Sequence, residues 1–363
     1  MKKMPITKPE ESIIKEIEEQ RPTYPVGILS RQERDLLIER GARSLYRWYT
    51  TRSQKTRNWH PDHSFNWRAL RTDHSPEVNT VIEGVYGIEN YAPDYTTRAT
   101  HMLRKSYGRA NFQLRWGAEE EKHSDLWLNC MLFMRFRTPE WIEDYMQYLR
   151  NGEWQAPWED PLHLAMYVVI QERATQLTYL NIALFARGES DKPGFEGAAD
   201  PELVKIAQTI AIDEAAHYNF FLEIARLYLY YFPAQTLDAL VETIKHFAMP
   251  SVHLLPDGDK FMETMYRGGI YGGREYVTDV LKIALKHLGV NDRRALERGI
   301  KRSRQAPGPD GEMRETTFFD GFEYDVVETS VKRLYGRLKE YEEEVGLADI
   351  IPTQFVPSGL SGS

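Results

Sequence analysis

The sequence predicts an all-α protein organised around a four-helix bundle, and three observations carry that expectation. Long segments with helical apolar spacing are bounded by start and stop signals. Period-two alternation is scarce, and no Asn-Gly hairpin joins two alternating runs. Two Glu-x-x-His motifs each follow a helix that carries a lone glutamate.

In chain order, the first 75 residues mix short helical patterns with Trp- and Pro-bearing loops such as NWHPDHSFNW at 58–67. Ser75-Pro76-Glu77 is a strong helix start: a capping hydroxyl, a proline in the first turn and an acid at the positive end of the helix dipole. That helix is expected to run to about Tyr107 and stop at Gly108, with a second from about Asn111 to Arg137, before Thr138-Pro139. Residues 139–160 read as a short helix and an irregular crossover. A third long helix covers about 161–187, breaks at GESDKPGFEG (188–197), and a fourth covers about 200–231, before Phe232-Pro233. Further helices are expected at 234–248, 257–267, 273–288 and 291–304, then a Gly/Pro break at 307–311 and an amphipathic helix over 322–345. The expected organisation is one domain over 1–345, with a bundle core at about 76–231 and accessory helices before and after it. Residues 346–363 are expected to form a flexible tail.

Hydrophobic residues at 42% and charged residues at 28% fit a globular chain and argue against disorder. A net charge of −8 argues against a nucleic-acid partner. Cys130, the single cysteine, lies in the apolar run 126–134 and reads as a core thiol in a reducing compartment. No stretch approaches the roughly 18–20 apolar residues of a membrane span. The start, MKKMPITKPEESIIKEIEEQ, lacks an apolar h-region and turns acidic, so a cytoplasmic protein with this N-terminus is expected.

The motifs are Glu120-Glu121-Lys122-His123 and Glu214-Ala215-Ala216-His217. At ~100° per residue, positions three apart share a helix face, so each carboxylate and imidazole can grip one metal ion. One such motif alone is weak, because Glu and His are common on solvated helices. The lone acids strengthen it: Glu89 sits in VYGIENYA and Glu172 in MYVVIQERAT. In an antiparallel hairpin, residues equidistant from the turn stand level. The midpoint between Glu172 and the 214/217 pair falls near 194, inside a breaker, and that between Glu89 and the 120/123 pair falls near 105. The chain therefore reads as a duplicated unit, a Glu helix followed by a Glu-x-x-His helix. Four carboxylates and two imidazoles match the bundle solution for two iron or manganese ions, whose charge offsets the buried acids.

With IENYAPDY, WGAEEEKHSDL, QERAT and IAIDEAAH in this order, and the weaker REYVTDVL at 274–281, the sequence resembles the soluble acyl-carrier-protein desaturases over roughly residues 40–290. The resemblance implies a ferritin-like di-iron enzyme that uses O2 to desaturate a long-chain acyl thioester. By resemblance, Glu120 and Glu214 bridge the ions, while Glu89 with His123 and Glu172 with His217 complete the two ends. It further implies that Thr175 assists oxygen activation, Asp213 orients a ligand histidine, and Trp59 starts a Trp–Asp–His electron path. For Thr175 the bland reading is a hydroxyl bonded back to its own helix, and for Trp59 it is plain packing. Implied partners are an acyl-carrier-protein or coenzyme A thioester, a ferredoxin-type electron donor and a second copy in a homodimer.

Gly117 and Asn90 depart from the threonine and acid usual in the plant enzymes, which leaves chain length and double-bond position open. Pro93 removes the amide that would bond the Glu89 carbonyl, so a local bulge is expected there. Tyr86, Tyr91, Trp116, Ala118, Met131, Tyr179 and Leu180 are tunnel or core candidates, and the tunnel is expected to be largely preformed. Two basic clusters are candidate carrier docks: Lys282, Lys286, Arg293, Arg294, Arg298, Lys301, Arg302 and Arg304, and separately Arg98, Arg104, Lys105 and Arg109. The alternatives are a hydroxylase on the same core, a metal-storage bundle, and a radical-generating subunit. Over a hundred residues beyond the last ligand disfavour storage, and Glu rather than Asp as first ligand disfavours the radical subunit.

Overall fold

Capping chemistry sets the frame of the molecule. Ser75, Thr138, Asp160 and Asp200 each precede a proline and accept hydrogen bonds from the first free amides of the following helix. The computed structural model describes residues 30–290, 306–307, 313–314 and 324–346. Helix α1 spans Arg31–Trp48 and continues through a π-helical turn, Tyr49–Ser53, to Gln54–Thr56. The bundle follows: α2 (Pro76–Glu89), α3 (Ala92–Leu103), α4 (Tyr107–Phe133), the crossover helix α5 (Pro139–Arg150), α6 (Pro161–Ala186) and α7 (Pro201–Tyr231). Beyond it lie α8 (Pro233–His246), α9 (Gly258–Arg267) and α10, which joins Gly273–Glu275, a π-helical stretch Tyr276–Leu281 and Lys282–His287. The last described helix is α11 (Tyr324–Glu344). The described strands are a two-residue ladder, Ala306–Pro307 against Met313–Arg314.

Two antiparallel hairpins make the bundle: α2 and α3 against α4, and α6 against α7. Helices α1 and α11 lie together over α7, and α1 also packs on α4. This departs from the expected short helical patterns before residue 75, since α1 is a full layer of the fold. Leu37, Ile38, Leu45 and Tyr49 of α1 are buried, and Tyr335 of α11 donates to the Leu37 carbonyl and meets the Tyr231 hydroxyl at 2.7 Å.

The first bundle helix is divided rather than continuous to Tyr107. The break at Asn90–Tyr91 is the bulge that Pro93 demands, because no amide at 93 can satisfy the Glu89 carbonyl. The Tyr95 hydroxyl donates to the neighbouring Ile88 carbonyl at 3.1 Å, which stabilises the opened turn. Gly108 is not a stop. It lies in the first turn of α4, where a Cβ would fall well inside contact of the Ala42 carbonyl and Arg43 amide. The expected helix over 291–304, the basic residues Arg293 to Arg304 and the tail after 346 lie outside the described residues. Among the described residues, no helix is long and apolar enough to cross a membrane.

Gly108→Ala is expected to push α1 off α4, since the obstacle is backbone and cannot swing aside. Overpacking of this kind costs ~1–3 kcal/mol, and thermal melting against wild type measures it.

Candidate metal centre

The two hairpins bring six side chains to one depth. Glu89 leaves the last turn of α2, Glu120 and His123 the middle of α4, Glu172 the middle of α6, and Glu214 and His217 the middle of α7. None is more than 5% exposed. Ligand atoms of Glu89, Glu120, His123 and Glu214 all lie within 4.8 Å of one another, and so do those of Glu120, Glu172, Glu214 and His217. The arrangement is thus two adjoining clusters that share Glu120 and Glu214.

The donor atoms face one another without satisfying one another. Glu120 Oε1, His123 Nδ1, Glu172 Oε2, Glu214 Oε1 and His217 Nδ1 are buried with no hydrogen-bond partner. His217 Nδ1 stands 2.9 Å from Glu120 Oε1, and His123 Nδ1 3.3 Å from Glu120 Oε2. These are close approaches without hydrogen-bond geometry. Orphaned buried polar atoms are rare and costly. Oxygen and imidazole donors converging on two points suit a pair of divalent first-row ions, so these clusters can bind metal.

Protonation of the metal-free site points the same way. Burial, then repulsion from Glu120, drives the Glu89 carboxyl well above the usual range; burial and Glu214 do the same to Glu172. Burial opposes charge on His123 and His217. Surrounding acids, Glu120 for both and Asp213 and Glu119 one apiece, outweigh it and raise both imidazoles. For Glu214 the burial penalty is overcome by His123 and His217, which hold it low. Protons therefore occupy part of the place that cations would take.

A second layer braces the first. Asp213 Oδ2 accepts from Trp59 Nε1 at 2.8 Å and faces His123 Nε2 at 3.4 Å; the Trp59 and His123 rings lie parallel, 7° apart. His217 Nε2 meets Glu119 Oε2 at 2.8 Å. Arg57 donates to both acids, and Tyr49 donates to Glu119. Trp116 Nε1 donates to Glu172 at 3.1 Å, and the Tyr179 hydroxyl donates to Glu89. Thr175 Oγ1 lies within hydrogen-bond distance of the Gln171 and Glu172 carbonyls and, at 3.1 Å, of Glu214 Oε2, so its one proton can turn either to its own helix or to the site.

All nine sequence-predicted residues therefore meet here. Sequence reasoning missed Glu119, Arg57, Tyr49 and the Tyr179–Glu89 contact. Glu119 was accessible by symmetry, since it precedes Glu120 as Asp213 precedes Glu214. Arg57 carried no signal, because its role depends on where α1 docks.

Several peripheral expectations are corrected. Ala118 and Leu180 face outward, Leu180 at 38% exposure, whereas Tyr86, Tyr91 and Met131 are core. Arg109 is turned inward onto Glu39 and the Tyr228 hydroxyl, which removes it from the basic dock. Arg98 pairs with Glu153. At Gly117 a Cβ would strike Thr96, so a neighbouring helix already fills the space a larger residue would need.

The apolar approach is narrow rather than preformed. A surface groove of about 850 Å³, lined by Phe247, Met249, Val252, Met262 and Tyr271, leads inward. Met249, Val252, Met262 and Tyr271 continue into a cavity of only about 20 Å³ beside Thr175 and Tyr179. A further one of about 30 Å³ lies past Trp116, between Met102, Leu164 and Phe221. Ligand sites of drug-like size occupy ~300–1,000 Å³, so a long chain can enter only if the methionine-rich wall repacks. Methionine is suited to that by its flexibility.

Because ligands bind deprotonated, metal uptake competes with protonation of Glu89, Glu172, His123 and His217, all of which burial or neighbouring acids push upward. Affinity for a divalent ion is expected to rise with pH, and calorimetry in buffers of different ionisation enthalpy should show proton release. Binding without proton release would contradict the raised carboxyls and imidazoles.

Comparison with known proteins now places the chain. A model of the family described as fatty acid desaturase matches residues 81–306. Stearoyl-[acyl-carrier-protein] 9-desaturase 6, chloroplastic, of Arabidopsis thaliana is 29% identical over 222 residues, 59% of this chain and 51% of that protein. The seed-specific chloroplastic stearoyl-[acyl-carrier-protein] 9-desaturase of Brassica napus is 32% identical over 176 residues, 46% of this chain and 41% of that protein. The matched region thus spans about half the length of these curated relatives. The X-ray structure of DesA2 from Mycobacterium tuberculosis H37Rv superposes with a TM-score of 0.50 at 15% identity. The match covers 72% of this chain and 98% of that one and supports the fold alone. On the family match and the described helices, this all-α, ferritin-like chain belongs to the fatty acid desaturase family.

Proposed function

We propose that the protein desaturates a saturated long-chain acyl thioester at a di-iron centre, with O2 as oxidant. The observation that carries this reading is the pair of clusters sharing Glu120 and Glu214, with five unpartnered donor atoms turned inward. The reaction balances when the acyl chain loses two hydrogens and two electrons and two protons arrive from outside, so that O2 leaves as two waters. Two iron ions, when bound, supply the O2 activation and the power to remove hydrogen from an unactivated carbon; manganese is the substitute that the same donors would accept.

The side chains then have distinct tasks. Glu120 and Glu214, common to both clusters, would hold both ions, while Glu89 with His123 and Glu172 with His217 would each hold one. Tyr179 donates to Glu89 and Trp116 to Glu172, so each end carboxylate has one oxygen occupied by a hydrogen bond. Thr175 holds its hydroxyl on Glu214 Oε2 at the floor of the inner cavity, where a proton can pass to the reacting side. Trp59, Asp213 and His123 form a hydrogen-bonded and stacked route for electrons from a ferredoxin-type donor. Burial of the whole cluster excludes water.

The thioester is presented by acyl carrier protein, with coenzyme A as the alternative, and the names of the plant relatives favour the carrier. The acyl chain runs from the surface groove past Met249 and Met262 to Thr175 and then toward Trp116 and Phe221. A homodimer in the cytoplasm completes the proposal.

Reconstitution with ferrous iron, then turnover with O2, a reductant and acyl-carrier thioesters, tests the reading by product mass. Loss of two hydrogens is expected; gain of one oxygen without a double bond would establish the hydroxylase instead. Glu120→Ala or Glu214→Ala is expected to abolish both metal sites, and Glu89→Ala or Glu172→Ala to weaken mainly one, as read by metal content. Met262→Ala, which opens the narrow cavity, should lower KM for long chains more than for short ones. An unchanged chain-length profile would refute the path.

A further inference from the structure

We propose that Arg57 is the positioning residue for both metal-binding histidines, holding Asp213 behind His123 and Glu119 behind His217 with a single guanidinium. This deepens the di-metal reading and rests on it. The histidine supports are crossed. Asp213 precedes Glu214 on α7 but faces His123 of α4, and Glu119 precedes Glu120 on α4 but faces His217 of α7. Arg57 stands between these two acids. Its Nη1 donates to Asp213 Oδ1 at 2.6 Å and to Glu119 Oε2 at 3.0 Å. Its Nη2 donates to the Tyr49 hydroxyl at 2.7 Å and reaches Glu119 Oε1 at 3.4 Å.

Both imidazoles turn Nδ1 toward the cluster, so Nε2 must carry the proton and needs an acceptor fixed behind it. An acceptor free to rotate would release the ring. The remaining oxygens are pinned as well: Trp59 donates to Asp213 Oδ2, and Gln54 donates to Glu119 Oε1 at 3.0 Å. The Arg57, Glu119 and Asp213 side chains are 6%, 4% and 1% exposed. Removing the cation would therefore leave two carboxylates facing each other without water.

Local backbone explains how one residue reaches both. In a regular helix Tyr49 and Arg57, eight positions apart, would diverge by roughly 80° at ~100° per residue. The π-helical turn Tyr49–Ser53 acts as one inserted residue and cuts the divergence to about 20°. Phenol and guanidinium then aim at the same acid. Arginine suits the position because its planar fork offers several fixed donors, where a lysine ammonium is a single point.

The test is a Co(II) titration of the metal-free full-length chain, followed by ligand-field absorption, with melting recorded for each variant. Wild type is expected to bind two ions. Arg57→Met should weaken both sites by about ten- to a hundredfold, the usual effect of removing an outer support, and shift both sets of bands. Asp213→Asn should shift only the His123 site and Glu119→Gln only the His217 site. Arg57→Lys, which keeps the charge but not the fork, should recover only part of the affinity, and to the same extent at both sites. It also decides the matter if Arg57→Met does not fold, because a Lys variant perturbed at one site alone overturns the proposal. So does Arg57→Met with wild-type spectra at both sites. Wild type that binds no cobalt overturns the di-metal reading itself, and the clamp with it.

Discussion

Six carboxyl groups, Glu89, Glu119, Glu120, Glu172, Asp213 and Glu214, are enclosed in one apolar bundle, each at most 5% exposed. Isolated buried charge is among the costliest things a fold can carry. The rest of the structure is arranged around that constraint. Two imidazoles and one guanidinium are the only cationic groups among the described residues that the hydrogen bonds and ion pairs place against these acids. They do not offset burial and the repulsion of neighbouring glutamates, which drive the Glu89 and Glu172 carboxyls upward. Two divalent ions with Arg57 would compensate five of the six acids.

That demand gives the outer helices their meaning. Helix α1 delivers Tyr49, Gln54 and Arg57 to the second layer, and it must be held firmly to do so. Helix α11 supplies the hold: Ser44 donates to the Leu334 carbonyl, Tyr335 bonds Leu37 and Tyr231, and Ser330 and Arg333 meet the buried Glu223 of α7. The polar contacts of α11 thus tie α1 and α7 together at a distance from the metal cluster.

The substrate side follows a different logic. Acids that must be shielded from water cannot sit beside an open tunnel, and the apolar path narrows to about 20 Å³ at Thr175. Methionines 249, 262 and 265 and Tyr271 line that narrow stretch, side chains that fill space without fixing it. The break at Asn90–Tyr91 belongs to the same design. It ends α2 at Glu89, and Tyr179 then holds that terminal carboxylate from the opposite hairpin.

The sequence alone determined the helical class, the bundle core and the six candidate ligands, because these depend on local periodicity and on spacing along single helices. Equal distance from a turn was enough to level Glu89 with Glu120 and His123, and Glu172 with Glu214 and His217. The cap at Ser75 was equally plain, since a cap acts within three residues, whereas Thr138, Asp160 and Asp200 emerged as caps only in the structure. Tertiary structure alone decided what crosses between helices. No spacing rule announces that Asp213 serves the histidine of the other motif, that Arg57 reaches across 156 positions to it, or that Gly108 admits a backbone rather than ending a helix. Those facts depend on docking angles and side-chain reach, which arise only when separate helices bury their faces against one another.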